Sequence, residues 1–243
     1  PYVNLTTESW VRSKLLPRSR TAHKGDFGVL TVLGGNLGMG GSVIMAVEAA
    51  LRAGVGRVIL LTRPEHLSAA LTRVPEAMVH GVERPEEYDD LVQQSNALVV
   101  GPGLGGDQWA LDMLSLAEGF DGPRLFDADA LNLIAQGHVR GGTNVVFTPH
   151  PGEVARLLGI STVQVQADRV AALLNLERRY GGVQLVKGAG TLCSKNGQIE
   201  VCDLGNPGMA TAGMGDILSG IIGSLLAQGV TPASAAACGV WIH

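Results

Sequence analysis

Short apolar runs alternate with helix-like patterns along most of the chain, and each run leads into a loop rich in glycine, proline or polar residues. The runs are four or so residues long and unbroken by charge, which is typical of strands buried on both faces. Strands joined in this way by helices pair in parallel. The pattern predicts an α/β fold with a mostly parallel sheet, helices on both faces and functional loops at the carboxyl ends of the strands. Predicted strands cover residues 28–33, 57–61, 97–100, 124–126, 145–147 and 183–186.

The remaining strands and the helices are predicted from the spacing of apolar residues and from the glycines and prolines that mark where each element ends. Asn196-Gly197 predicts a two-residue hairpin between strands at 191–193 and 198–201. No linker interrupts the pattern, so we expect one domain over residues 1–243. The first residue is Pro1 rather than Met, and we expect a fragment of a longer chain. Predicted helices cover residues 43–53, 67–71, 88–94, 108–117, 130–135, 154–158, 165–180, 216–229 and 233–242, with short segments at 7–11 (helical) and 77–82 (extended).

The stretch NPGMATAGMGD at residues 206–216 organises the chain, because a glycine-rich loop there runs directly into an apolar helical pattern. Glycines leave backbone N–H groups uncovered and tolerate positive φ. The start of a helix adds orphan N–H groups and the positive end of its dipole, which together suit a phosphate. The helix ILSGIIGSLLAQG is apolar on nearly every side, so we expect it to be buried.

Asp216 does not fit a passive anion site, since its carboxylate would repel a bound phosphate. One interpretation is that Asp216 is the N-cap of the helix. The other is that it is a base, which takes the proton of a hydroxyl attacking the phosphoryl group. Both roles are compatible, and the pattern alone does not separate them.

Other strand ends carry further candidates. GPGLGG at 101–106 satisfies GxGxxG, but Pro102 removes a donor and the unit is not the first crossover, so a tight structural turn explains it equally well. The chain contains no GxxxxGK[ST] phosphate loop. The sequence KGAGT at 187–191 places Lys187, exposed N–H groups and a hydroxyl together, which suits a nucleotide, although a lysine there could simply be solvated.

Acidic residues and a histidine lie at the same predicted edge. His150 stands between two prolines, as a bystander or as a rigid ligand-contacting group. Glu153 either caps the helix that follows or holds Mg²⁺ through water. Asp129 has the position of an N-cap for a helix at 130–135, and Asp127 is a further candidate metal ligand.

Composition narrows the class of protein. The 243 residues are 46 % hydrophobic and 16 % charged, which is typical of a well-packed globular protein. The net charge of −4 and the absence of basic runs argue against a nucleic-acid partner. Three cysteines without a CxxC pattern predict small core residues in a reducing, cytoplasmic compartment. No apolar run reaches membrane-spanning length.

Taken together, the loops resemble the dehydratase domain of the NAD(P)H-hydrate repair enzymes, a branch of the ribokinase-like superfamily. The resemblance runs in order from about residue 24 to residue 243. It rests on GGNLGMGGS (34–42), GPGLG (101–105), DADALN (127–132), TPHPGE (148–153), KGAGT (187–191) and NPGMATAGMGD (206–216).

The resemblance implies a ribokinase-like fold and a specific reaction. The S epimer of hydrated NADH or NADPH (NADHX or NADPHX) would be phosphorylated on its C6 hydroxyl by ADP or ATP, with Mg²⁺. Elimination of phosphate would then restore the coenzyme, and AMP or ADP would be released. Asp216 matches the catalytic aspartate of the superfamily. The implied nucleotide-binding residues are Lys187, Gly188, Ala189, Gly190, Thr191, Gly213 and Gly215, and the implied substrate-binding residues are Ser42, Gly103, His150 and Asp216.

Two positions depart from the family pattern. Residue 42 is Ser where the family usually has Ala, which adds one hydroxyl. His150 and Glu153 occupy a slot where many sugar kinases of the superfamily carry Asn-x-x-Glu, which argues against a simple sugar kinase and leaves the Mg²⁺ ligands open. The resemblance also implies a homo-oligomer, and in some members an epimerase domain that precedes this one.

Three alternatives stay open from the sequence. A kinase of the same fold, acting on a vitamin-precursor alcohol, would share Asp216 and the anion loop. A nucleotide-binding module without catalysis would need the loops alone. An NAD-linked dehydrogenase depends on the weak GxGxxG and lacks an obvious acidic partner for the ribose. The choice between ADP and ATP, and between NADHX and NADPHX, is likewise open.

Overall fold

A computed structural model describes residues 2–15, 17–139 and 141–243. Within these residues, ten strands form a continuous sheet in the order β1-β10-β9-β8-β7-β6-β5-β2-β3-β4. The strands are β1 (Tyr2–Leu5), β2 (Val29–Leu33), β3 (Arg57–Thr62), β4 (Met78–Gly81), β5 (Ala97–Val100), β6 (Arg124–Phe126), β7 (Val145–Phe147), β8 (Val183–Val186), β9 (Thr191–Lys195) and β10 (Gln198–Cys202).

The helices cover both faces of this sheet, as the alternating pattern predicts. Trp109, Met113 and Leu173 pack on one face, whereas Val43 and Ile222 pack on the other. The helices are α1 (Glu8–Lys14), α2 (Gly40–Arg52), α3 (Leu67–Arg73), α4 (Asp89–Gln93), α5 (Gln108–Glu118), α6 (Ala128–Ala135), α7 (Pro151–Leu158), α8 (Thr162–Ala167), α9 (Arg169–Tyr180), α10 (Met214–Ala227) and α11 (Pro232–Ile242).

The strand order reverses between β2 and β5. From β2 the chain moves outward to β3 and β4, then returns to β5 on the other side of β2 and continues to β8, all in parallel. The loops that leave β2, β5, β6, β7 and β8 therefore meet at one edge, where open α/β sheets bind ligands. Among the described strands only β9 pairs in an antiparallel way, with both β8 and β10. Asn196 and Gly197, in the two-residue turn between β9 and β10, both have positive φ as this turn requires.

The prediction of one long helix over 165–180 is wrong. The helix is broken at Asp168, whose backbone is extended, and α8 and α9 lie on either side of it. The Asp168 side chain accepts a hydrogen bond of 2.8 Å from the Ala171 N–H and so caps α9. Aspartate competes well as a cap, which ends the helix that precedes it.

Several boundaries also differ from the predicted ones. β1 pairs in parallel with β10 at the sheet edge, although its exposed side chains gave no strand pattern. The helices α2, α7 and α10 begin three, three and two residues before their predicted starts at 43, 154 and 216. The first turns of these helices contain glycine or proline, which are residues typical of loops, and the predicted helices therefore begin too late.

Helix α10 is the buried helix that the sequence predicts. All ten residues from Leu218 to Ala227 are buried, between α2, α11 and the central strands. The approach to α2 is so close that a Cβ on Gly220 would lie 2.1 Å from the Ala46 carbonyl oxygen. Among the described residues, no helix is long and apolar enough to cross a membrane.

We therefore expect Gly220→Ala to destabilise the protein, because the added methyl meets backbone that cannot rotate away. The expected loss in free energy of unfolding is about 1–3 kcal/mol, measured by urea denaturation. Gly41→Ala is the control, since Gly41 is also helical and a Cβ there would have nothing within 4 Å. If both variants unfold at the wild-type urea concentration, the α2–α10 packing is looser than described.

Candidate active site

A buried ion pair lies at the centre of the strand-end edge. The Lys187 ammonium follows β8 and lies 2.9 Å from Asp127 Oδ1, directly after β6. Asp127 is 2 % exposed, so its carboxylate depends on partners for its charge. Burial lowers the pKa of Lys187, but the charges of Asp127 and Glu153 outweigh it and leave that pKa raised. The lysine is therefore a fixed, permanently charged group, not a solvated one.

The Asp127 carboxylate also binds a residue of helix α10. Ser219 Oγ donates a hydrogen bond of 2.8 Å to Asp127 Oδ2. A Cβ added to Gly215, in the first turn, would lie 3.4 Å from Lys187 Nζ and 3.5 Å from Asp127 Oδ2. The start of α10 and the lysine thus face the same space, so the positive end of the helix dipole lies beside the ion pair.

Asp216 lies in the first turn of α10 but is not its N-cap, so that interpretation is wrong. The N-cap is Gly213, in the left-handed conformation. Asp216 is half-buried, and its pKa is raised by burial and by Asp127, while a hydrogen bond from Ser42 and the charge of Lys187 act in the opposite direction. The carboxylate therefore faces the charged centre of the edge rather than its own backbone.

His150 and Glu153 form the cap of α7. His150 Nδ1 accepts from the Gly152 N–H at 3.0 Å, and Glu153 Oε2 accepts from the His150 N–H at 2.7 Å. The capping interpretation of Glu153 is thus confirmed. Its Oε2 also lies 4.0 Å from Lys187 Nζ. Burial raises the pKa of Glu153 to about 7, against the effect of Lys187, and burial and Lys187 lower the pKa of His150.

The glycine loops at 34–42 and 101–105 contact one another. The Asn36 N–H donates to the Gly103 carbonyl at 2.6 Å, and the Asn36 side chain donates to the Leu104 carbonyl at 3.1 Å. Gly103 has a positive φ of 55°, and a Cβ on it would lie 3.3 Å from Ser42 Cβ. The Ser42 side chain also lies near enough to Asp216 to lower the pKa of that carboxyl, so this pair of loops adjoins Asp216.

Asp129 has a different role from the predicted one. It is the second residue of α6, whose N-cap is Asp127, and so it does not cap a helix at 130–135. Its Oδ2 accepts from the Gly105 N–H at 2.8 Å, which ties the GPGLGG loop to α6.

Hydrogen bonds within the loop at 187–191, and others to neighbouring segments, hold this loop in place. Thr191 Oγ1 donates to the Gly188 carbonyl at 3.0 Å, and the Lys187 N–H donates to the Pro149 carbonyl at 3.0 Å. Arg169, at the start of α9, donates to the Ala189 carbonyl on this loop and to the Val186 carbonyl at the end of β8. Gly213, which ends the 206–213 loop, packs so close to Met45 that a Cβ would lie 2.5 Å from its sulfur.

The carboxylates do not form a preassembled metal site. Among the described residues, no group of three or more His, Cys, Asp or Glu side chains could hold a metal ion. The Lys187 ammonium lies beside Asp127 and Glu153, where a directly bound cation would be expected. The donor set therefore fits Mg²⁺ only as an ion that keeps its water and phosphate ligands.

The edge brings together Asp216, Ser42, Gly103, His150, Glu153, Gly215 and the loop at 187–191. Sequence reasoning missed Ser219 and Arg169. Ser219 is a polar residue three positions after Asp216 in an otherwise apolar helix, which is a readable signal of a buried hydrogen bond. Arg169 gave no signal, because the predicted helix passed through it without a break.

The fold defines the class of protein. The structure superposes on a ribokinase-like superfamily protein from Enterococcus faecalis with a TM-score of 0.92 at 30 % identity, over 99 % of this chain and 86 % of that one. An ADP/ATP-dependent NAD(P)H-hydrate dehydratase from Bacillus subtilis, co-crystallised with ATP and Mg²⁺, superposes with a TM-score of 0.88 at 27 % identity, over 99 % and 87 %. The fold is ribokinase-like, as the sequence predicts.

The family follows from the sequence comparisons. Residues 30–243 match the NAD(P)H-hydrate dehydratase family model. The chain is 49 % identical to the bifunctional NAD(P)H-hydrate repair enzyme Nnr of Coxiella burnetii, over 94 % of this chain and 47 % of that one. It is 43 % identical to the ADP-dependent (S)-NAD(P)H-hydrate dehydratase of Neisseria meningitidis, over 93 % and 78 %. The chain belongs to the NAD(P)H-hydrate dehydratase family, and it spans about half the length of the bifunctional relatives.

The raised pKa of Glu153 predicts a pH-dependent stability. A carboxyl group whose pKa is higher when folded stabilises the fold at low pH, and that contribution is lost as pH rises from about 4.5 to about 7. Glu153→Gln keeps an acceptor for the His150 N–H but cannot ionise. Relative to wild type, the variant should become more stable between pH 5 and pH 8, by up to roughly 3 kcal/mol in urea denaturation. A similar trend in Glu86→Gln, an exposed substitution, would indicate a general charge effect instead.

Proposed function

We propose that this domain dehydrates the S epimer of NADHX or NADPHX to the normal coenzyme, with ADP or ATP as the phosphoryl donor. The observation that carries the proposal is the placement of Asp216 in the first turn of α10, beside Ser42 and near Lys187. Family membership suggests the substrate class, and the ADP-dependent and ADP/ATP-dependent relatives suggest the nucleotide.

The chemistry requires a better leaving group, because hydroxide leaves a saturated carbon poorly. Asp216 takes the proton of the C6 hydroxyl as that oxygen attacks the terminal phosphoryl group. Backbone N–H groups at 213–215 and the start of α10 stabilise the negative charge that accumulates on the transferring group. Loss of phosphate from C6 and of a proton from C5 then restores the ring double bond.

The other residues hold the two substrates. Lys187 and the loop through Thr191, with Gly213 and Gly215, bind the nucleotide phosphates, and Lys187 keeps its charge because Asp127 is buried beside it. Ser42, Gly103 and His150 contact the hydrated dinucleotide. Mg²⁺ enters with the nucleotide, and a contact to Glu153 through water stays a prediction. We also propose that residues 1–243 act as one dehydratase domain that self-associates.

The relatives bear on what lies beyond this domain. Several are called bifunctional repair enzymes, and the chain covers less than half of their length. An additional domain, such as an epimerase, is therefore part of the proposal for a full-length protein.

Asp216→Asn should remove turnover while leaving nucleotide binding nearly intact, because the amide keeps the shape but cannot take a proton. We expect the rate to fall by about 10²–10⁴-fold, measured as the recovery of NADH absorbance from NADHX with ADP or ATP and Mg²⁺. Nucleotide affinity is followed by calorimetry. The control is Asp121→Asn, an exposed acid at the opposite edge of the sheet.

Two outcomes would contradict this assignment. If Asp216→Asn retains wild-type turnover, the base lies elsewhere. If the wild type recovers no NADH but leaves phosphate on another alcohol, the protein is a kinase of the same fold. A wild type that binds nucleotide and turns over neither substrate would be a binding module.

Ser42→Ala tests the hydroxyl that the sequence analysis singles out as a departure from the family pattern and that lies beside Asp216. The Ser42 hydrogen bond lowers the pKa of Asp216, so its removal should raise that pKa. A base must be ionised to act, and the acidic limb of the pH–rate profile should therefore move to higher pH in the variant. The measurement is NADHX turnover from pH 4.5 to pH 8. An unmoved limb, or one displaced to lower pH, would remove Ser42 from this role.

A further inference from the structure

Arg169 makes two hydrogen bonds to the backbone on either side of Lys187. It is the first residue of α9 and lies at the break that Asp168 introduces. One guanidinium nitrogen, Nη1, donates to the Ala189 carbonyl at 2.7 Å, and the other, Nη2, donates to the Val186 carbonyl at 2.9 Å. The side chain therefore brackets the segment that begins with Lys187.

This placement is unfavourable for helix stability alone. The positive end of the α9 dipole lies at its first turn, where a cation is repelled. The Arg169 Nε is buried and has no hydrogen-bond partner among residues 2–15, 17–139 and 141–243. Burial also lowers the pKa of the guanidinium. The two strong bonds to carbonyl oxygens compensate these costs, and both act on the loop.

The loop itself needs an external restraint. Gly188 and Gly190 have φ values of +143° and +68°, in the region that glycine occupies freely and other residues rarely adopt. Two such residues in succession around Ala189 give a segment with many accessible conformations. A Cβ on Gly188 would lie 3.3 Å from Arg169 Nη2, so the guanidinium also covers this part of the loop.

We propose that Arg169 is a positioning residue for the nucleotide. It fixes the carbonyls of Val186 and Ala189, so that Lys187 and the loop N–H groups are held toward the phosphates before the nucleotide arrives. It does not touch the reacting atoms. The proposal rests on the proposed function, because it takes the loop at 187–191 as the nucleotide-binding segment.

The test compares Arg169→Met with Arg178→Met, which removes an exposed arginine from the same helix. Steady-state NADHX turnover is measured while the nucleotide and NADHX are varied separately. For Arg169→Met we expect KM for ADP or ATP to rise about tenfold or more, as loss of a charged hydrogen bond implies. The kcat at saturating nucleotide and KM for NADHX should change less than twofold. Arg178→Met should match the wild type in all three.

Arg169→Lys keeps the positive charge but not the two guanidinium nitrogens that bond separate carbonyls. Its KM for nucleotide should therefore lie between those of the wild type and Arg169→Met. If Arg169→Met does not fold, Arg169→Lys decides, and a wild-type KM for nucleotide overturns the proposal. Equal losses in kcat and in both KM values also overturn it, because a loosened fold gives that result.

Failure of the proposed function is separable from failure of this inference. If the wild type shows no NADHX turnover, the proposed reaction fails, and calorimetry with ADP and ATP replaces kinetics. A Kd at least tenfold weaker in Arg169→Met than in wild type supports the positioning role. An unchanged Kd, or no binding by the wild type, overturns it.

Discussion

The contact between the Lys187 ammonium and the Asp127 carboxylate holds the functional edge together. It joins the ends of β6 and β8, and the Ser219 hydroxyl adds α10 to the same carboxylate. Three elements that are distant in sequence thus share one buried charge pair. Such a pair adds little net stability compared with apolar packing, but loss of one member leaves the other charge stranded. Its value here is geometric, since it fixes where a helix start and a lysine point.

The same pair explains how a phosphate can enter an edge rich in acidic groups. Asp127 is neutralised by Lys187, and the pKa of Glu153 near 7 leaves that group partly protonated at neutral pH. Asp129 is turned to a backbone N–H of the GPGLGG loop. In the proposed reaction, repulsion between the nucleotide and the protein would therefore be concentrated on Asp216, the carboxylate proposed to act on the hydroxyl beside the phosphoryl group.

Strand positions could be predicted from sequence because burial on both faces leaves unbroken apolar runs. Helix starts could not, because Gly40, Pro151 and Met214 begin helices with residues that pattern analysis assigns to loops. The helix break at Asp168 could not be predicted either, because an aspartate that caps a helix and an exposed aspartate within a helix fit the same sequence pattern. The edge strand β1 was not predicted, because all its residues are exposed and show no alternation of buried and exposed positions.

The loops of the site could be found from their glycines and strand-end positions, and family resemblance then ordered them. The partners of those residues could not be found in this way. Which carboxylate meets Lys187, and which one caps a helix, depends on distances of a few ångströms between β6, β7 and β8. For this reason Asp127, and not Asp129 as predicted, has the N-cap position of α6, and Asp129 accepts from the Gly105 N–H instead.

The cap of α7 decides the chemistry that His150 offers. Because Nδ1 accepts backbone N–H groups, the neutral ring carries its hydrogen on Nε2. The uncharged imidazole then carries its donor on Nε2, which lies 3.4 Å from Glu153 Oε1, and a proton on Nδ1 would cost the helix its first bonds. A ligand atom that approaches Nε2 must bring a lone pair, such as an amide or phosphate oxygen, because neither ring nitrogen is left to accept an N–H.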